Sequence, residues 1–300
     1  MGRSWSDPAI ADLSGLGWIG GIGAYPLDFS QDVTKSLLTD QRGIPMIDYA
    51  NLGQHYNPWF VGHIALGLYT KYCRHNETAD RERFLQLANW FMDTADWHGG
   101  FAYWLYHFDW FGEKSGWFSG LSQAHAISVL LRAHRLLNKD GYERLARAAA
   151  DCMIAEIRQG GTATLENNGT IFFQEHRKTP AAYILNGHLF SCFAAWEAGR
   201  YFAEPRYQEA ATAGFNYLYE NLSRFDLGYW SAYSLQKKRL GIPDIASVHY
   251  HGVHAAQLTT AGEITGNQTF HSFSDKFTEY QNSRHCARRA LWLKRLAKLL

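Results

Sequence analysis

Residues 246–258 read ASVHYHGVHAAQL, with His249, His251 and His254 crowded around one tyrosine, Tyr250. Imidazoles so spaced could ligate a metal, move protons, or simply pack a turn. Gaps of two and three residues would allow a facial ligand set. No HExxH or paired Cys/His spacing accompanies them, however, and the acidic neighbour is only Asp244. Neither a metal nor another cofactor is expected. A tyrosine between histidines suits proton transfer better, provided that its phenol falls below its usual value of about 10 or donates as an acid.

Helical periodicity supplies the elements that must position these groups. NPWFVGHIALGLYTKY, SGLSQAHAISVLLRAHRLL, TPAAYILNGHLFSCFAAWEAGRYF and GVHAAQLTTAGEITG are apolar nearly all round. Each is followed by a more amphipathic stretch: ADRERFLQLANWFMDTAD, DGYERLARAAADCMIAEI, PRYQEAATAGFNYLYENL and SDKFTEYQNSRHCARRALWLKRLAKLL. Asn57 with Pro58 marks the first start, Asp140 with Glu143 reads as a capping pair, and Pro180 opens the third pair. Buried helices alternating with half-buried ones predict an all-α fold, an α/α toroid or incomplete barrel of about four helix hairpins. His63, His125, His188 and His254 recur 62, 63 and 66 residues apart, early in the four inner helices. Repeated packing explains that period, or some of these imidazoles look into a central cavity.

Three segments break the pattern: 96–120 with Gly99-Gly100, 160–180, and 225–252. They read as short β-hairpins or loops, each joining an outer helix to the next inner one, so they gather on one rim where a site could form. Residues 1–50 read as an N-terminal extension packing on the domain, and 51–300 as the catalytic toroid. The glycine cluster Gly15–Gly23 lacks the strand and helix of a phosphate loop and reads as turns.

A formal net charge of +1 argues against nucleic acid as a partner. Four scattered cysteines read as reduced thiols in a cytoplasmic compartment. Eleven tryptophans leave room for sugar-stacking platforms, with Trp104, Trp110 and Trp117 as candidates beside ordinary core filling. From Arg284 onward there are six Lys/Arg and no acid, an amphipathic stretch that reads as a solvated outer helix or as a peripheral contact with a membrane or partner enzyme.

YHGVHAAQL, GWFSGLSQAHAIS and EHRKTPAAYILNGHLF resemble the C-terminal catalytic domain of the D-glucuronyl C5-epimerases, and YNPWFVGHIALGLYTKY resembles that family's first substrate-lining helix. The similarity runs in order over roughly residues 50 to 270. It implies an α/α barrel-like domain that inverts C5 of glucuronate within heparosan-type chains. By position it makes Tyr250 the catalytic tyrosine and His251 its neighbouring histidine. Glu175 becomes a catalytic glutamate, Asn186 a substrate contact and Tyr233 a second tyrosine. Gln123, Tyr56 and Trp117 lie within or beside the resembling segments, and His254 on the inner-helix period; all four join the substrate-binding candidates. Two positions depart from the animal enzymes: His176 replaces a tyrosine, and Gln236 replaces an arginine. Carboxylate binding then falls to Lys237, Lys238 or Arg239.

C5 of a uronate bears a proton α to a carboxylate, so inversion needs a base, an acid on the opposite face, and donors over the carboxylate. Glu175 and Tyr250 could serve on opposite faces, with His176 and His251 tuning them. The expected partner is a uronic-acid polysaccharide or lipid-linked glycan, and a homodimer is an open alternative. A polysaccharide lyase would take the same proton, and a non-catalytic sugar-binding toroid would keep the same shape. A hydrolase needs a carboxylate pair, and Glu175 has no obvious partner.

Overall fold

Four apolar helices of equal length form the inner wall: α2 (Pro58–His75), α4 (Gly120–Leu137), α6 (Leu185–Phe202) and α8 (Val248–Thr265), each of 18 residues. In the computed structural model, which describes residues 9–10, 22–34, 37–110 and 112–299, each ends on a left-handed residue: Asn76, Asn138, Ala203 or Gly266. That geometry turns the chain sharply at a helix C-terminus. The outer partners follow at once: α3 (Thr78–Thr94), α5 (Asp140–Ile154), α7 (Pro205–Asn221) and α9 (Gln268–Asn282). Successive inner helices pack side by side, and each inner helix packs on its own outer partner, which makes an α/α toroid.

Two-stranded hairpins precede the inner helices: β3–β4 (Ile47–Tyr49, Gly53–His55), β5–β6 (Asp96–His98, Phe101–Tyr103), β7–β8 (Ala163–Leu165, Ile171–Phe173) and β9–β10 (Ala232–Lys237, Pro243–Ile245). They therefore collect at the end of the ring where all four inner helices begin. Gly99 and Gly100, with φ of 59° and 87°, supply the tight turn of β5–β6.

The N-terminal segment enters the ring itself. β1 (Ala9–Ile10) pairs with β2 (Leu27–Asp28), both lie against α8, and α1 (Ser30–Val33) lies against α2, so the segment bridges the first and last inner helices. Tyr25, Leu27 and Phe29 are buried. The Phe29 ring sits 4.0 Å from that of His63, with His125 and Phe190 beyond at 6.1 and 6.3 Å. Gly67 permits this approach, since a Cβ there would meet the Phe29 carbonyl at 2.6 Å. Arg132 and Glu197, both fully buried, form an ion pair of 2.6 Å between α4 and α6, and Arg132 also donates to the carbonyls of Gly23 and Ala24. The glycine-rich residues 15–21 and the first eight residues lie outside the described parts.

Helix boundaries differ from the sequence reading at four places. The third inner helix begins at Leu185, not near Pro180, because Tyr183 takes a left-handed φ of 54° and its hydroxyl donates to Glu166. The fourth begins at Val248, where the Ser247 hydroxyl accepts from the Tyr250 amide, so Tyr250 and His251 stand in the first helical turn rather than on the preceding loop. The C-terminal stretch is two helices: extended Ser283 separates α9 from α10 (Arg284–Leu299). Asp140 and Glu143 form no capping box; Lys139 is the cap, and Glu143 pairs with Arg147 instead.

Cutting Arg132 to alanine would strand the Glu197 carboxylate in the core. Arg132→Ala is expected to lower unfolding stability by about 3–5 kcal/mol in urea titration. A loss below about 1 kcal/mol would show that the pair does not hold the ring.

Candidate active site

Glu175 stands two residues beyond β8, and its carbonyl accepts from the amide of Gly120, tying this hairpin to the first residue of α4. Its side chain lies against the first turn of α6. A Cβ on Gly187 would come within 2.7 Å of Oε2, so only glycine leaves the carboxyl its place. Oε2 is buried without a hydrogen-bond partner among the described residues, and burial pushes the carboxyl up to about 7. That value suits a general base near neutrality.

Tyr250 faces the same region from α8, and Tyr233 from β9. Their rings lie 5.0 Å apart at 56°, so the two phenols stand in direct ring contact. The Tyr250 phenol in turn raises that of Tyr233. Burial acts more strongly, and the nearby Glu175 charge adds to it, so both phenols end above their ordinary range. The Tyr250 phenol is therefore protonated at neutral pH. One hairpin, one strand and one helix start thus bring a carboxyl and two phenols within electrostatic reach.

Other sequence candidates surround this group. His176 places Nε2 3.8 Å from Glu175 Oε1, too far for a hydrogen bond. Burial, then the Lys178 charge, brings its imidazole down to about 4, so it is neutral at pH 7 with Nδ1 unpartnered in the protein. Asn186, second residue of α6, is buried with Oδ1 likewise unpartnered, and α6 is the inner helix that lacks a side-chain cap. Trp117 stacks on Tyr106 at 4.0 Å and lies 5.4 Å from His176.

The remaining candidates are held elsewhere. His251 has both ring nitrogens engaged by the core: Nδ1 accepts from the Ser231 amide at 3.1 Å, and Nε2 donates to the Phe277 carbonyl at 2.9 Å. His254 reaches the Ser231 hydroxyl at 2.8 Å and is fully buried. Its period-mates His125 and His188 are core residues as well, the latter bonded at both nitrogens to backbone. Gln123 donates to the Ala102 carbonyl, fastening β6 to α4. Tyr56 donates to Asp40. Lys237 and Arg239 are exposed at the tip of β9–β10, and Lys238 pairs with Asp244 at 3.3 Å. Four residues of strand, about 13 Å, separate Lys237 from Tyr233. Among the described residues no group of three or more His, Cys, Asp or Glu side chains is arranged to hold a metal ion.

Three residues at this site escaped the sequence reading. Asn57 caps α2 through Oδ1, accepts the Tyr106 hydroxyl on the same oxygen at 3.0 Å, and donates through Nδ2 to the Tyr49 hydroxyl at 2.8 Å. Tyr49 acts electrostatically on Tyr250, and Glu175 on Tyr106. The capping signal of Asn57 was legible, but the two phenols it aims were not.

Glu175 also gives the stability of the chain a pH dependence. A carboxyl raised to about 7 keeps its proton in the folded chain where the unfolded chain has lost it, so stability falls as pH rises through that window. A displacement of that size corresponds to about 3 kcal/mol. Glu175→Gln should shrink the stability lost between pH 5 and pH 8 by roughly that amount in urea unfolding. An unchanged pH slope would place the carboxyl in water.

Comparison with known proteins identifies the family. The family described as D-glucuronyl C5-epimerase C-terminus matches residues 92–279. The D-glucuronyl C5-epimerase of Caenorhabditis elegans is 29% identical over 178 residues, which cover 55% of this chain and 29% of that protein. The chain thus matches less than a third of that relative's length. Among solved structures, the GH76A α-1,6-mannanase from Salegentibacter sp. HEL1_6 superposes with a TM-score of 0.56 at 14% identity, over 84% of this chain and 68% of that one. A UGL complex with dGlcA-Glc-Rha-Glc gives 0.50 at 12% identity, over 78% and 61%. These two likenesses are of fold alone. With more than half its length inside the family match, the chain belongs to the D-glucuronyl C5-epimerase C-terminal family.

Proposed function

We propose that the chain is a cofactor-independent uronate C5-epimerase acting on a polysaccharide or lipid-linked oligosaccharide. The observation that carries this reading is the buried Glu175 carboxyl within electrostatic reach of the adjacent phenols of Tyr250 and Tyr233. Removing the C5 proton makes an enolate-like dianion, which demands a base near neutrality and a neutral acid close by. Glu175 meets the first requirement and Tyr250 the second.

In this mechanism the Glu175 carboxylate takes the C5 proton, and the electron pair moves into the substrate carboxyl. The Tyr250 O–H then returns a proton to the opposite face of C5, leaving a phenolate beside the Tyr233 phenol. Glu175 loses its proton and Tyr250 regains one through solvent; in the reverse direction the roles exchange. Asn186 and neutral His176 offer hydrogen bonds to the sugar and its carboxyl, and Trp117 offers a ring face. The exposed Lys237–Arg239 run sits too far along its hairpin to clamp the carboxyl that reacts.

Incubation with heparosan-type polyuronates in heavy water tests the reading. Deuterium at C5 together with iduronate signals is expected; unsaturated product would instead favour a lyase, and binding without exchange a sugar-binding toroid. Glu175→Gln and Tyr250→Phe should each slow exchange by roughly 10²–10⁴-fold. The exchange rate should climb through about pH 7 as Glu175 ionises and stay level toward pH 10, since the acid is a phenol raised above that value. A rate that already plateaus at pH 5 would sink the assignment of Glu175 as base.

A further inference from the structure

Helix α10 lies outside the ring, and its two faces differ in kind. One side belongs to the protein: Cys286, Ala287, Ala290 and Leu293 pack with Tyr229, Trp230, Ile245 and Ala246, and Lys294 Nζ donates to the Ile245 carbonyl at 2.5 Å. At about 100° per residue, Arg284, Arg288, Leu291, Trp292 and Arg295 fall within one outward arc of roughly 100°. The three arginines are exposed, Leu291 is 43% exposed and Trp292 64%. No acid follows Arg284 in the sequence. The chain as a whole carries only +1, so this positive field is local to the helix.

We propose that this face of α10 docks on an anionic lipid surface, with Trp292 and Leu291 seated among the headgroups between the arginines. Charge complementarity admits several polyanions, but the apolar pair selects among them. A soluble polyuronate would engage the arginines and leave Leu291 in water, whereas a bilayer interface takes up both kinds of group. A second copy of the same face is disfavoured, because arginines would meet arginines. The inner side of α10 packs on β10, whose partner strand carries Tyr233 toward the active site. Docking therefore sets the bilayer beside the hairpin that helps to build that site. The binding itself does not depend on the epimerase reading; only its meaning for a lipid-linked substrate rests on it.

Sedimentation with vesicles tests the docking directly. The whole protein is mixed with phosphatidylcholine vesicles, or with vesicles holding about 30% phosphatidylglycerol, at about 0.1 M and about 0.5 M salt. Binding at least about tenfold stronger to the anionic vesicles, lost at high salt, is expected. Trp292→Ala and the pair Arg288→Glu with Arg295→Glu should each weaken it by about tenfold or more, with unchanged circular dichroism and unchanged C5 exchange on a soluble polymer. No binding to anionic vesicles at low salt, equal binding to neutral ones, or full binding by both variants would overturn the proposal. So would retention of the protein by an immobilised polyuronate, dependent on the same arginines, without vesicle binding. Absence of C5 exchange alongside vesicle binding would defeat the epimerase reading and leave the docking intact.

Discussion

The buried ion pair of Arg132 and Glu197 is the constraint on which the ring depends. Two full charges sit at zero exposure, each about three turns from its helix start, and each is satisfied several times over. Ser128 donates to Glu197 Oε2 at 2.6 Å, and Arg132 spends its remaining donors on Ser128, Gly23 and Ala24 carbonyls. Such a pair adds little net stability over a well-packed apolar pair, but any wrong arrangement leaves a charge in the core and is heavily penalised. It therefore selects one register of α4 against α6 and one path for the N-terminal segment. With that end fixed, the opposite ends of the inner helices arrive in a defined relation at the rim.

The rim uses burial in the opposite sense. Among the described residues no cation offsets the desolvation of Glu175, and the neighbouring imidazole of His176 is itself held neutral. The same physical effect that would destabilise a fold if repeated freely here moves a carboxyl into the range where it can both take and release a proton. The phenols opposite move upward as well, which keeps them in the acid form while the carboxyl is a base. Two groups of like charge tendency thus separate into two roles because they differ in intrinsic acidity and share one environment.

Much of this was legible in the chain because it is written in local pattern. Apolar periodicity gave four hairpins, Asn57-Pro58 gave the start of α2, and Gly99-Gly100 gave a hairpin turn. The catalytic candidates on the rim followed from the resemblance of whole segments, not from spacing. What stayed hidden depends on pairs distant in sequence. The left-handed Tyr183 is fixed by Glu166 and Gln174, and it delays α6 until Leu185. His251 looked like a ligand-facing group, yet Ser231 and Phe277 consume its nitrogens. Lys237–Arg239 carried the right charge, and the structure places them exposed at the tip of the β9–β10 hairpin. Asn57 showed only its cap, since Tyr49 and Tyr106 approach it from separate segments.

The threading of residues 22–34 through the ring also bears on how such a domain changes over generations. The inserted segment lies before residue 92, where the family match begins. Phe29 nevertheless fills space walled by His125 and Phe190, which lie inside that match. The family match and the packed volume are therefore divided differently along this chain. Any change at Phe29 must still refill the hollow that His125 and Phe190 wall.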